Sequence, residues 1–334
     1  MRGNLCVLGI ESTAHTFSAS VVTEKDGLLS DVKDVYLPKE GSGIHPTEAA
    51  NHHTAVAAKV IKEALTASGR TAASLDAVAY AMGPGLGPCL RVGAVSARAL
   101  SLALDRPLVP VNHAIGHIEL GCLLTGAKSP LVLLISGGHT MVISFSFGMW
   151  RVLGETLDLT LGQLLDQLGR HFGYSSPCGR RIEEAASHSH RYLKLPYTVK
   201  GNDVSFSGLL TAAKRLVDRG EPFEDVCFSV QESAFATTVE VTERALAFTG
   251  SKEVMVVGGV AANKRLAEML NIMVRRHAAS LSVVPPRYSG DCGAQIAWTG
   301  LLAFRAGITV PVRKSVIRQS WRLDTVPLPW RVSA

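Results

Sequence analysis

A short apolar run that ends in a polar turn and then returns as a second run occurs twice in this chain. Residues 6–10 stop at Glu11-Ser12-Thr13 and resume over 18–23. Residues 131–135 stop at Ser136-Gly137-Gly138-His139-Thr140 and return over 140–145. The two openings lie about 125 residues apart in a chain of 334 residues, which is the mark of a duplicated fold. At roughly 150 residues per domain the length predicts two units, and 47% hydrophobic residues supply a core for each.

Helical patterns separate the strands. After Pro46, the residues Val56, Val60, Ile61, Ala64 and Leu65 recur at helical spacing as far as Gly69. A strand over 77–82 leads to a helix of small residues over 92–104. A strand over 108–111 leads to a helix over 112–124, and a strand over 253–257 ends in Gly258-Gly259. Strands alternating with helices predict an α/β protein. We expect an N-terminal lobe over 1–128, a C-terminal lobe over 129–310 and a basic extension over 311–334.

Several classes are excluded. The apolar start is short and runs into Glu11, unlike a secretory signal. The uncharged run 129–150 is split by Gly137-Gly138 and reads as two buried strands rather than a membrane span. The six cysteines form no C-x-x-C, so a zinc knuckle or disulfide scaffold is not expected, and reduced thiols in the cytoplasm are. Gly83-Pro84-Gly85-Leu86-Gly87-Pro88 mimics a dinucleotide fingerprint, but Pro88 replaces its last glycine and two prolines remove N–H donors. It reads as a rigid, closely packed turn. Nucleophile-elbow and Walker A patterns are absent.

Three features point to chemistry. His113 and His117 stand at i and i+4, so on a helix they share a face and suit one metal ion. Eleven histidines produce such a pair by chance often enough that a core pair stays open. Asp291, in a polar turn before an apolar helix, is either a third ligand or an N-cap. The glycine turns at 136–140 and 258–263 let a ligand approach the backbone, and their matching places suggest a nucleotide between lobes. Ser205-Phe206-Ser207-Gly208 is a cap cluster or a site loop. The last 24 residues hold Arg313, Lys314, Arg318, Arg322 and Arg331 against Asp324 alone, in a chain of net charge +6. They read as a solvated extension or as an edge for a phosphate backbone.

In order along the chain, Gly9-Ile10-Glu11-Ser12-Thr13-Ala14-His15, Gly43-Ile44-His45-Pro46 through His52-His53, and Gly83 to Arg91 form a set with later motifs. These are Val111-Asn112-His113 to Glu119, Ile135 to Thr140, Gly154-Glu155-Thr156-Leu157-Asp158, Leu195-Pro196-Tyr197, Asp203 to Leu209, Gly258 to Asn263 and Asp291 to Ala297. Together they resemble the TsaD/OSGEP family of tRNA threonylcarbamoyltransferases, whose archaeal branch is the catalytic subunit of the KEOPS complex. The resemblance implies a duplicated two-lobed, actin/hexokinase-like fold of the ASKHA class with a ligand cleft between the lobes. It implies transfer of a threonylcarbamoyl group from its adenylate to the N6 amine of the adenosine 3′ of the anticodon. His113, His117 and Asp291 match the family's catalytic metal ligands for a divalent iron or zinc. Leu134, Ile135, Ser136, Gly137, Gly138, Asp166, Gly179, Glu183 and Asn263 match its pocket for threonylcarbamoyl-AMP, or for ATP, ADP or AMP, and Glu11 is expected to line the cleft.

The expected partners are tRNA, a small kinase/ATPase subunit and a small dimerisation subunit on the helix from Thr47, with no membrane involved. Arg170, Arg180, Arg181, Arg191 and the tail are expected to meet tRNA phosphates. The chain departs from the family pattern at Leu134, where a tyrosine is common, and at His139, Cys178, Arg180 and Cys292. A metallopeptidase, the family's older label, would favour a glutamate where Ala114 stands. A non-catalytic scaffold would have lost the ligands, and a sugar kinase would need no paired histidines.

Overall fold

The computed structural model describes residues 4–39 and 41–332, so residues 1–3 of the first expected lobe and 333–334 of the extension lie outside the described residues. Two five-stranded sheets are built on one plan. In the first, the order is β3-β2-β1-β4-β5, with β1 (Cys6–Glu11), β2 (Thr16–Thr23), β3 (Gly27–Val35), β4 (Ala77–Gly83) and β5 (Leu108–Asn112). In the second, the order is β12-β11-β6-β7-β8, with β6 (Leu131–Ile135), β7 (Thr140–Ser146), β8 (Met149–Glu155), β11 (Glu253–Val257) and β12 (Ser280–Val283). Each opens as an antiparallel meander and continues through parallel strands, so β1 corresponds to β6 and β4 to β11. The central strands β1 and β6 are buried throughout, which is why they read as unbroken apolar runs. A two-residue pair, β9 (Val199–Lys200) and β10 (Asp203–Val204), lies apart.

The helices are α1 (Pro46–Ser68), α2 (Gly87–Leu104), α3 (His113–Thr125), α4 (Leu161–His171), α5 (Gly179–Ala186), α6 (Ser207–Asp218), α7 (Phe223–Thr249), α8 (Lys264–Arg276), α9 (Pro286–Ser289), α10 (Gly293–Arg305) and α11 (Pro329–Val332). The strands β3, β8 and β12 were not expected from the sequence. Each closes a sheet edge or lies beside one and is partly exposed, so its apolar pattern is weak. Helix α2 begins five residues before the expected Val92, because Pro88 falls in its first turn, where a missing N–H costs nothing.

Two segments cross from the second half of the chain to the first sheet. Ile296, Ala297, Leu301 and Ala303 of α10 share a core with Val7, Val22, Ala77 and Ala79. Gly9 permits this approach, since a Cβ there would lie 2.1 Å from the Ala297 nitrogen. The tail is not a solvated extension, although Arg313, Lys314 and Arg318 on it stay exposed and make no ion pair with any described residue. Val312, Ile317 and Trp321 pack on the first sheet's core, while Leu323, Leu328 and Trp330 pack on the core of α3 and β6. It is a strap across both. Among the described residues no helix is long and apolar enough to cross a membrane.

Candidate active site

Helix α3 starts where β5 ends. Asn112 caps it by accepting from the Ala114 and Ile115 N–H groups at 3.0 and 3.2 Å, and this leaves the His113 ring free of capping duty. One turn later His117 follows, and the two ring centroids are 4.7 Å apart. Asp291 stands in the loop before α10 but does not cap it. The first N–H groups of α10 are taken by the first sheet instead, Gly293 donating to Ser18 Oγ at 2.7 Å and Ala294 to Asp31 Oδ1 at 3.0 Å. Asp291 is thereby released toward the histidines. Its Oδ1 lies 3.5 Å from His113 Nε2 and 3.4 Å from His117 Nε2. One ligand atom from each of the three residues falls within 4.8 Å of the others.

Glu11 does not line the cleft as expected. It is fully buried at the end of β1, behind His113. Its Oε2 is 2.8 Å from His113 Nδ1, its Oε1 accepts from the Thr13 N–H at 2.6 Å, and Gln295 Nε2 donates to Oε2 at 3.2 Å. Gln295 Nε2 also lies 2.9 Å from Nδ1. Two donors cannot share that contact, so the carboxylate receives both the Nδ1 proton and the amide. A histidine that gives Nδ1–H to a carboxylate presents the Nε2 lone pair outward, the usual arrangement behind a metal ligand. Burial pulls the His113 pKa down, but the charges of Glu11 and Asp291 outweigh it and hold it at about 9, so without a cation Nε2 carries a proton toward Asp291, which a bound metal would displace to use the lone pair. Burial lowers that of His117, with His113 adding to the effect. Asp291 is buried too, yet the two imidazoles hold its carboxyl well below the usual carboxylate range.

The donor set fits a divalent cation. His117 Nε2 is buried and has no hydrogen-bond partner among the described residues. An orphaned buried polar atom costs about 1–3 kcal/mol, and a cation shared with Asp291 and His113 removes that cost. Two imidazoles and a carboxylate suit iron or zinc alike. His139 lies parallel to His113 with centroids 6.3 Å apart. Burial, then its two neighbouring imidazoles, pushes its pKa down to about 3, so it stays neutral.

The cleft in front of these residues has a volume of about 1980 Å³ and is lined from both duplicated turns, by Thr13 to Thr16 and by Ser136 to His139. His113, Asp291, Asp166, Gly179, Glu183 and Asn263 also line it. A Cβ built on Gly137 or Gly259 would meet nothing within 4 Å, and on Gly138 or Gly179 one atom at 4.0 Å. None of the four has a left-handed backbone. The fold therefore does not need glycine at these places, and the backbone there is open to the cleft. Asp166 accepts from the Cys178 N–H at 2.6 Å and Glu183 from the Lys264 N–H at 2.8 Å, which ties α5 and α8 to the cleft wall. Asn263 caps α8 and donates to Gln231.

Other expected residues lie elsewhere. The side chains of Leu134 and Ile135 are fully buried in two different cores, so they fix the strand end and do not face the cleft. Ser205 and Ser207 both donate to Asp158 and form a loop clamp. Of the expected phosphate contacts, Arg191 pairs with Glu221 and Asp225, Arg322 with Glu155 and Asp324, and Arg331 with buried Glu119. Arg170 and Arg180 line the cleft, and Arg181 lies over the Tyr174 ring at 4.7 Å. The sequence reading missed Gln295 and Asp31. A lone glutamine inside the apolar run 293–303 was the available signal for the first; nothing local marks the second.

A family model described as "TsaD: tRNA N6-adenosine threonylcarbamoyltransferase" matches residues 28–298. A curated tRNA N6-adenosine threonylcarbamoyltransferase of Caldivirga maquilingensis is 49% identical over 98% of this chain and 99% of its own. That of Thermofilum pendens is 52% identical over 98% and 97%. Among solved structures, HypF of T. kodakarensis superposes with a TM-score of 0.61 at 14% identity, covering 91% of this chain and 48% of that one. The activator of 2-hydroxyisocaproyl-CoA dehydratase from Clostridium difficile gives 0.56 at 10% identity, covering 91% and 97%. At such identities the likeness concerns the fold alone, which is the duplicated two-lobed class expected from the sequence.

Proposed function

Since the chain belongs to the TsaD family of tRNA N6-adenosine threonylcarbamoyltransferases, we propose that its cleft joins a threonylcarbamoyl adenylate to a tRNA adenosine beside a metal held by His113, His117 and Asp291. The observation that carries the metal is the convergence of the buried His117 Nε2, which makes no hydrogen bond, with Asp291 at 3.4 Å and His113. The adenosine N6 attacks the carbamoyl carbon of the mixed anhydride, the carbon–oxygen bond to phosphate breaks, AMP leaves with the electron pair, and N6 loses a proton. When bound, the ion supplies Lewis acidity and charge stabilisation for the opening anhydride. Glu11 fixes the His113 tautomer. Gly137, Gly138, Gly179 and Gly259 admit the nucleotide against the backbone, and Asp166 and Glu183 offer acceptors to ribose hydroxyls. The target base sits in a single-stranded loop, so no duplex is opened.

The same reading includes a cytoplasmic, KEOPS-like assembly with a small kinase/ATPase subunit and a small dimerisation subunit. Val95 and Leu102, exposed on α2, which packs beside α1, support an N-terminal docking face. A transfer assay with purified tRNA and threonylcarbamoyl adenylate, paired with metal analysis, tests the core of this. His117→Ala is expected to lose bound metal and at least about a hundredfold in kcat/KM, on the scale of removing one electrostatic element from an acyl-transfer site. Full transfer by the metal-free variant would refute the metal's role.

A further inference from the structure

The strap brings to the cleft a residue that the chemistry above does not use. Gln319 lines the cleft together with Thr13, Pro84, Gly85 and Leu86. Three glycines make its seat. A Cβ on Gly83 would lie 1.8 Å from the Arg318 carbonyl oxygen, on Gly85 2.7 Å from the Thr13 carbonyl oxygen, and on Gly87 2.2 Å from Gln319 Nε2. Backbone bonds complete it: Gly85 N–H donates to the Gln319 carbonyl at 3.1 Å, Leu86 N–H to the Thr13 carbonyl at 2.8 Å and Arg318 N–H to the Met82 carbonyl at 2.8 Å. The turn that mimics a dinucleotide fingerprint is thus a mould for the strap. Thr13 joins this mould to the metal site, its Oγ1 lying 3.3 Å from His113 Nδ1.

The Gln319 carboxamide makes no hydrogen bond to any described residue. In other cleft amides the acceptor is already taken within the protein, Gln163 Oε1 by the Thr160 N–H and Gln231 Oε1 by Asn263, so neither can offer donor and acceptor together. Gln167 follows Asp166 on α4, at the wall assigned to the donor ribose. A carboxamide held by its backbone, with its amide unspent, offers a donor and an acceptor side by side. That pair complements the N7 and N6 edge of adenine, and not that of guanine, which shows two acceptors.

We propose that Gln319 is a specificity residue for the acceptor base: Nε2 donates to adenine N7 while Oε1 accepts one N6 hydrogen. This rests on the reading that adenosine N6 is the acceptor, and deepens it. The contact holds the base by the edge that carries the nucleophile and leaves the N6 lone pair to face the adenylate. It also gives a reason for the strap to pass the cleft with an amide, where packing alone needs none.

The test measures kcat/KM in the assembled enzyme with tRNA carrying adenosine or 7-deazaadenosine at the target position, for wild type, Gln319→Leu and Gln319→Glu. Wild type is expected to lose roughly tenfold on 7-deazaadenosine, within the range of one bidentate base contact. Gln319→Leu should lose a similar factor on adenosine and nothing further on 7-deazaadenosine. Gln319→Glu, which keeps the acceptor but not the donor, should behave like Gln319→Leu toward N7. Equal rates of wild type on both tRNAs overturn the proposal without any variant, as does a Gln319→Leu loss that multiplies with the 7-deaza loss. A 7-deaza effect on the adenylate rather than on tRNA would move the contact to the donor base and also overturn it. Wild type inactive on ordinary tRNA would instead sink the transferase reading itself.

Discussion

Replacing Arg331 by methionine tests whether the strap is held by its buried ion pair. Arg331 Nε donates to Glu119 Oε1 at 2.6 Å, with side-chain exposures of 12% and 4% for the two residues. The guanidinium also bonds the Lys128 carbonyl at 2.9 Å and lies over the Trp150 ring at 4.7 Å. Glu119 receives two further donors, the Trp150 indole at 3.2 Å and the Trp330 indole at 3.4 Å. Removing one member of a buried pair costs about 3–5 kcal/mol, because the other charge is stranded. Methionine keeps the stem's packing and the two indoles still solvate the carboxylate, so the lower end, about 3 kcal/mol, applies. At about 2.1 cal/mol/K of unfolding entropy per residue, that corresponds to a fall of roughly 4 °C in thermal midpoint for this chain of 334 residues. Adding Glu119→Gln removes the stranded charge while keeping an acceptor for the indoles, and should restore about half of the loss. Calorimetry on the four proteins of this cycle decides it. A midpoint shift under about 2 °C for Arg331→Met, or a double variant whose losses simply add, would show that apolar packing alone secures the strap.

Gly83→Ala should destabilise by at least about 2 kcal/mol, since the new methyl meets the Arg318 carbonyl and the backbone there has φ +152°; an unchanged midpoint refutes the mould. Gly137→Ala should leave the midpoint within about 1 °C, because its Cβ meets no protein atom, yet raise KM for the adenylate; an unchanged KM means the ligand does not lie there. Burial holds the His53 pKa at about 4, below its ordinary 6.5, so the unfolded chain takes the proton first. Stability is full above pH 6.5 and falls as pH drops toward 4, and His53→Gln, which keeps a donor for the Ala14 carbonyl, should flatten that limb in urea titrations. Chelation should lower the midpoint of wild type but not of Asp291→Ala, read by calorimetry with and without added zinc.

Much of the site's local grammar was present in the order of residues. The pair at His113 and His117 needs only one helical turn and a cap, and Asn112 supplies the cap from within the same segment. The glycine turns follow apolar runs long enough to be central strands, so their place at the sheet ends was legible as well. Asp291 was not placeable in this way. Its role hangs on whether its own helix claims it as a cap, and Ser18 and Asp31, from strands at the far end of the chain, take that duty.

What the linear order determined is therefore what short-range geometry can set: strand ends, helix faces, and which residues could be ligands. Tertiary structure alone decided which carboxylate stands free and which stands behind a ligand, as Asp291 and Glu11 show. It also decided which cations are already neutralised, as at Arg322 and Arg331, and which segment the closely packed glycine turn receives. The physical reason is that hydrogen-bond periodicity acts over a few residues, while charge pairing and close backbone approach depend on which distant segments meet.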